Sequence, residues 1–172
     1  GLTLIVIISI FGPISGAHFN PIVSLVFWLK RMMLLKDFIA YVVMQIGGAI
    51  FGCIVANIIF KLPPVTISTL VRHDFSQFLS EILATFGLIL VIFIGSEVTK
   101  QNIPLLVGSY ITSAYWFTSS TSFANPAVTV ARQFSDTFTG ISPSGVPTFI
   151  IAQIFGAILG FVVIQWLTNK VI

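Results

Sequence analysis

The sequence predicts an all-α membrane protein in which two re-entrant half-helices form an inverted repeat. Of its 172 residues, 56% are hydrophobic and only 8% are charged, whereas soluble domains carry about 25% charged residues. Two Asn-Pro boxes, Asn20-Pro21-Ile22 and Asn125-Pro126-Ala127, lie in corresponding places in two apolar halves. A similar segment follows each box, Met44–Gly52 in the first half and Ala152–Gly160 in the second. Together these observations indicate a duplicated membrane domain.

Five apolar stretches are candidate membrane helices, since a spanning helix needs about 20 mostly apolar residues. We expect them at about residues 1–14, 38–60, 75–96, 103–117 and 148–168. The first is short and opens without Met or a basic region, so it does not read as a signal peptide, and we expect one further helix before Gly1. With that helix, each half has three spans, and an odd number inverts the second copy. The predicted repeats of this single domain, 1–172, are residues 1–60 and 75–172.

Each Asn-Pro box is predicted to begin a half-helix, over Ile22–Leu29 and Ala127–Phe134. Asn is a favoured N-cap and Pro suits the first helical position. Paired, interrupted hydrophobic segments are typical of half-helices that meet near the bilayer midplane. Because backbone in lipid must be satisfied by protein or water, we expect the preceding loops, 12–19 and 118–124, to line a cavity. Asn20 and Asn125 would then present amide donors at the midplane, where the positive helix ends oppose cations and protons.

Charge and cysteine content exclude several classes of function. The net charge is +3 without a long basic tract, so nothing supports nucleic-acid binding. Cys53 is the single cysteine, which excludes an intrachain disulfide and a cysteine metal cluster. No nucleophile–base set is visible, so we expect no enzyme, no metal and no cofactor. The basic segment 30–36 marks the cytoplasmic side and places Arg72 and Arg132 outside.

The boxes and their flanking residues resemble the major intrinsic protein family, the aquaporins and aquaglyceroporins. The resemblance rests on Ser-Gly-Ala-His-x-Asn-Pro at 15–21, on Asn-Pro-Ala at 125–127 and on the two Gln-x-x-Gly-Ala helices. It implies a homotetramer of helical bundles, each with a pore that passively conducts water or small neutral solutes without a cofactor. It also implies that Glu81 holds a re-entrant loop through backbone N–H groups. His18 either contributes to the cytoplasmic mouth or to pH gating, or is tied to the loop around it.

The chain departs from the family at the pore. Ile22 replaces the usual Ala of the first box, a change we expect to affect packing. Val128 follows the second box where most members have Arg. By spacing from Asn125, the other filter positions are Ser113 and Ser122. Since the His and Arg of a water-selective filter are both absent, we predict a wider pore for solutes larger than water.

Arg132 allows two interpretations. It lies four residues beyond Val128 and hence on the same helix face, and helical side chains lean towards the N-terminus. Its guanidinium could therefore lie in the outer vestibule and partly replace the missing filter charge. The alternative, which we favour, is an i, i+4 pair with Asp136.

Residues 118–132 resemble a bacterial subgroup associated with arsenic-resistance genes. The resemblance implies conduction of arsenite as neutral As(OH)3, besides glycerol-like polyols and water, across the plasma membrane. One alternative is a water-selective aquaporin. Another is a secondary transporter, which also uses broken helices and inverted repeats but would need an ion-coupling site.

Overall fold

The computed structural model describes residues 1–171, with side chains described to residue 168. The described chain contains no strand and is built from seven α-helices, so the predicted all-α fold is confirmed. The helices are α1 (Leu2–Ser15), α2 (Pro21–Leu29), α3 (Leu35–Ile59), α4 (Phe75–Thr99), α5 (Ile103–Phe117), α6 (Pro126–Arg132) and α7 (Val146–Val171).

Three helical stretches in the described residues are long and apolar enough to cross a bilayer. They are Leu35–Ile59, Phe75–Phe117 and Val146–Thr168. The second comprises α4, a short 3-10 turn and α5, and it folds back on itself because the Tyr110 hydroxyl donates to the Ala84 carbonyl at 3.0 Å. Helix α1 has 14 residues and is shorter than a full span.

The first re-entrant loop is shorter than the sequence predicts. Helix α1 continues through Pro13 to Ser15, so the loop covers residues 16–19 rather than 12–19. The helix ends where Gly16 takes a left-handed conformation with φ 75°, and its N–H donates to the Gly12 carbonyl at 2.9 Å. This is a common helix stop because glycine adopts positive φ at little cost.

Small residues bring α7 against α4. A Cβ added to Gly156 would lie 2.4 Å from the Ile82 carbonyl oxygen, and one added to Gly160 would lie 2.9 Å from Ile89 Cγ2. Only glycine allows the two backbones to approach this closely. The close pair places the buried polar side chains of α4 and α7 beside the second re-entrant loop.

Polar groups lie inside the bundle and apolar groups cover its exterior. Glu81 and Gln153 are fully buried, whereas Phe51 on α3 is 69% exposed. An apolar exterior suits lipid, and buried polar groups in a membrane helix face the protein interior. The interior polar groups are therefore the candidates for function.

Candidate functional site

Both short helices begin at their Asn-Pro boxes. The Asn20 side-chain oxygen accepts the N–H of Ile22 at 3.0 Å, and that of Asn125 accepts the N–H of Ala127 at 2.9 Å. Each asparagine is thus the N-cap of its half-helix. The box residues that follow the asparagines are all buried: Pro21, Ile22, Pro126 and Ala127. Ile22 belongs to the main apolar core, so the departure from the usual Ala is accommodated by packing.

The two half-helices are tied tip to tip by a reciprocal pair of hydrogen bonds. The Asn20 amide nitrogen donates to the carbonyl of Ala124 at 2.7 Å, and the Asn125 amide nitrogen donates to the carbonyl of Phe19 at 2.9 Å. Each amide therefore binds the residue that precedes the other asparagine. The arrangement joins residues more than 100 positions apart and brings the two predicted donors to one place.

The far ends of the half-helices point to opposite sides of the bundle. Helix α2 ends at Lys30, whose amine lies 5.1 Å from the Phe93 ring near the end of α4. Just after α6, the Phe134 carbonyl accepts from the Asn57 side chain near the end of α3. Helix α3 starts on the α2 side and is 25 residues long, or about 37 Å. The half-helices therefore enter the bundle from opposite sides.

The loops before the two boxes share one unusual backbone pattern. In each loop, the residues four, three and one positions before the asparagine have positive φ, between 45° and 75°. They are Gly16, Ala17 and Phe19 in the first loop and Thr121, Ser122 and Ala124 in the second. Left-handed backbone costs non-glycine residues roughly 1–2 kcal/mol each, so surrounding contacts must hold the loops in place.

Glu81 provides such contacts for the second loop. Its fully buried carboxylate accepts from the Ser120 hydroxyl at 2.6 Å, the Phe123 N–H at 2.9 Å, the Ala124 N–H at 2.8 Å and the Gln153 amide at 2.7 Å. A carboxylate has acceptor sites for all four donors. The structure thus places Glu81 where the family resemblance expects it, against the loop backbone.

A glutamine and a hydroxyl residue support each half-helix in the same way. In the first half, Gln45 donates to the Ser24 hydroxyl at 3.0 Å, and Ser24 donates to the Asn20 carbonyl at 3.3 Å. In the second half, Gln153 donates to the Thr129 hydroxyl at 2.9 Å, and Thr129 donates to the Asn125 carbonyl at 2.9 Å. These hydroxyl residues were not predicted, although the repeated glutamines are a signal for them.

His18 packs beside the first half-helix. Its Nδ1 lies 3.0 Å from the Ser24 hydroxyl, and its ring centroid lies 4.2 Å from that of Phe27 and 5.4 Å from that of Tyr41. The ring is thus held by neighbouring side chains rather than by the loop backbone, as one interpretation expected.

The three predicted filter residues have different environments. Ser113 is exposed and donates back to the Ser109 carbonyl at 2.9 Å. Ser122 is buried, and its hydroxyl has no hydrogen-bond partner in the described structure. Val128 is half-buried and packs against a small apolar cluster that contains Phe123.

The expected Arg132–Asp136 pair is wrong. Helix α6 ends at Arg132, so Asp136 is not on its next turn, and the Asp136 carboxylate instead accepts from the N–H of Thr69 at 2.9 Å. The Arg132 guanidinium lies 4.2 Å from the centroid of the Phe123 ring. Its Nη1 is buried without a hydrogen-bond partner among the described residues. This geometry leaves the vestibule interpretation of Arg132 open.

Arg72 is a residue of this region that the sequence did not single out for the site. It precedes α4 and is only 5% exposed. Its guanidinium donates to the carbonyls of Gly140 and Phe138, both at 2.8 Å, and to that of Ser120 at 3.2 Å. Burial lowers the pKa of Arg72, and the nearby Glu81 carboxylate acts in the opposite direction. Arginine remains charged in proteins, so Arg72 brings a positive charge to the second loop.

Comparisons with known proteins identify the class of protein. Residues 1–121 match the family model for the major intrinsic protein. The chain is 50% identical over 167 residues to aquaglyceroporin AqpS of Rhizobium meliloti, covering 97% of this chain and 72% of that protein. It is 29% identical to the probable aquaporin AqpM of Archaeoglobus fulgidus, over 98% of this chain and 72% of that protein. It is 28% identical to the glycerol uptake facilitator protein of Bacillus subtilis, over 87% and 61%.

Apolar helices around two half-helices that meet end to end define a multi-pass membrane channel. The chain belongs to the major intrinsic protein family. It is accordingly a passive channel for water and small neutral solutes, and not an enzyme.

Proposed function

We propose that the chain conducts small hydroxylated solutes, namely glycerol-like polyols and arsenite as As(OH)3, together with water. In this proposal residues 1–172 form one channel domain with repeats 1–60 and 75–172. The protein lies in the plasma membrane as a homotetramer with one pore in each subunit. The observation that carries the proposal is the reciprocal bonding of Asn20 and Asn125.

The two asparagines suit a neutral solute with oxygen atoms. A side-chain amide nitrogen carries two N–H groups, and one of each pair is used in the bond to the opposite loop. The second N–H of each amide is left to donate to a passing oxygen. Donors beside the positive ends of two half-helices bind an oxygen acceptor but repel a cation.

The filter residues favour polyols and As(OH)3 over a pore for water alone. Ser113 and Ser122 are small, and the unpartnered Ser122 hydroxyl can exchange hydrogen bonds with a solute hydroxyl. Val128 adds neither charge nor a donor, so the filter is uncharged at that position. Arg132 adds a donor in the outer vestibule, since its Nη1 has no partner in the described chain.

Stopped-flow measurements on full-length protein in liposomes test the proposal against a panel of water, glycerol and arsenite. Wild-type protein should conduct all three without a sodium or proton gradient. Asn125→Asp keeps the capping oxygen but removes the donor, and Asn102→Asp in the exposed turn after α4 is the matched control. A lost interaction of about 1.4 kcal/mol corresponds to a tenfold change, so Asn125→Asp should reduce glycerol flux about tenfold or more.

Three results would contradict the proposal. Conduction of water alone would favour a water-selective aquaporin. Flux that saturates and requires an ion gradient would favour a secondary transporter. Equal glycerol flux through Asn125→Asp and Asn102→Asp would show that the midplane amides do not contact the solute.

A further inference from the structure

Two guanidinium groups lie against the ring of Phe123 in the second re-entrant loop. The central carbon of Arg132 is 4.2 Å from the ring centroid, and that of Arg72 is 5.4 Å from it. Val128 packs on the same ring from α6. Phe123 thus joins the uncharged filter position to two arginines that are distant in sequence.

Neither positive charge is neutralised by a close carboxylate. Across the described residues, neither guanidinium has a carboxylate oxygen within the 4.0 Å of an ion pair. Asp136, the acid nearest to Arg132 in sequence, is bound to Thr69. The carboxylate of Glu81 is occupied by four other donors. The field of the two arginines therefore extends to whatever passes the second loop.

The charge of Arg72 is fixed in position. Its three hydrogen bonds go to backbone carbonyls of the segments before and after α6. Ser120 is bound from both sides, since its carbonyl accepts from Arg72 while its hydroxyl donates to Glu81. A side chain held in this way cannot swing away when a cation approaches.

We propose that Arg72 is a specificity-determining residue, whose fixed positive charge excludes cations from a pore that has Val128 at its filter. The inference rests on the proposed function, because it assigns the ion exclusion of that same pore. Fixed charges repel a cation and leave a neutral solute almost unaffected. A unit charge about 10 Å away at an effective dielectric constant near 20 lowers local cation concentration by roughly tenfold.

The rival explanation is that Arg72 only ties the loops together. Two substitutions separate the explanations, because Arg72→Lys keeps the charge and loses the fork of donors, whereas Arg72→Gln loses both. If Arg72 acts through its charge, Arg72→Gln should raise the ratio of potassium to glycerol permeability about tenfold. Arg72→Lys should leave that ratio near the wild-type value at neutral pH, even where total flux falls.

The experiment measures potassium and glycerol permeability of full-length protein in the same liposomes. Arg31→Gln, an exposed arginine at the opposite side of the bundle, is the matched control and should change neither. Arg72→Gln combined with Arg132→Gln should admit more potassium than either single change. Equal permeability ratios in Arg72→Gln and Arg72→Lys, or a wild-type ratio in Arg72→Gln, would overturn the inference.

A pH series keeps the test informative if Arg72→Gln does not fold. Lysine loses its charge at high pH, and burial lowers its pKa further. The potassium permeability of Arg72→Lys should therefore rise with pH more steeply than that of the wild type. A flat profile would overturn the role of charge. Wild-type protein that passes no neutral solute would instead refute the proposed function itself.

Discussion

Replacing Glu81 with glutamine perturbs the support of the second loop at a single atom. Each carboxylate oxygen accepts two hydrogen bonds, so the new NH2 group must face two donors. If it faces Ala124 and Gln153, the Gln153 amide can turn, because its own oxygen is buried without a partner in the described structure. The Ala124 N–H cannot move and is left unsatisfied.

The expected loss follows from that unsatisfied donor and from the weaker bonds of a neutral acceptor. A buried donor without a partner costs about 1–3 kcal/mol, and charge-assisted bonds are about twice as strong as neutral ones. We expect Glu81→Gln to lower the free energy of unfolding by about 2–3 kcal/mol. For a chain of this length that corresponds to a Tm about 4–12 °C lower.

Thermal unfolding in detergent, followed by size-exclusion chromatography of the surviving protein, measures the change. Glu97→Gln is the control, because Glu97 is exposed on the same helix. Flux should fall as well, since the Ala124 carbonyl is the acceptor of the Asn20 amide. A Tm for Glu81→Gln within about 1 °C of the control would refute the reasoning that the carboxylate holds the loop.

Two further predictions concern backbone strain and pH. Thr121 has φ 62° and a buried hydroxyl without a partner among the described residues, so Thr121→Gly should raise stability by about 1 kcal/mol, measurable as a higher Tm, and a lower Tm would contradict it. Asp74 caps α4, and hydrogen bonds from Ser76 and Gln77 lower its pKa. Its stabilising effect is therefore full above the ordinary carboxyl pKa and is lost as pH falls through the lowered pKa. Asp74→Ala should reduce Tm at neutral pH but not in acid, and an equal deficit at both would count against this.

The half-helices were predictable because their signals are local. Asn followed by Pro fixes the start of a helix, and α2 and α6 begin at Pro21 and Pro126, within one residue of the prediction. The spans were predictable for a similar reason, since length and hydropathy define them. Helix α5 occupies Ile103–Phe117 as predicted.

The arginines could not be placed from sequence because their environment depends on distant segments. The pair of Arg132 with Asp136 assumed that the helix continues, but α6 ends at Arg132. Arg72 stands between Val71 and His73 in a loop with no periodicity, and its partners lie 48 to 68 residues away. No pattern within a short window predicts such contacts.

The shared geometry of the two loops makes each half of the molecule an internal standard for the other. Position four before the asparagine is Gly16 in one loop and Thr121 in the other, at nearly the same φ. Natural variation has thus already performed the exchange of a glycine for a branched residue within one chain. Reciprocal swaps between the halves would show how far either loop tolerates the side chain that its twin carries.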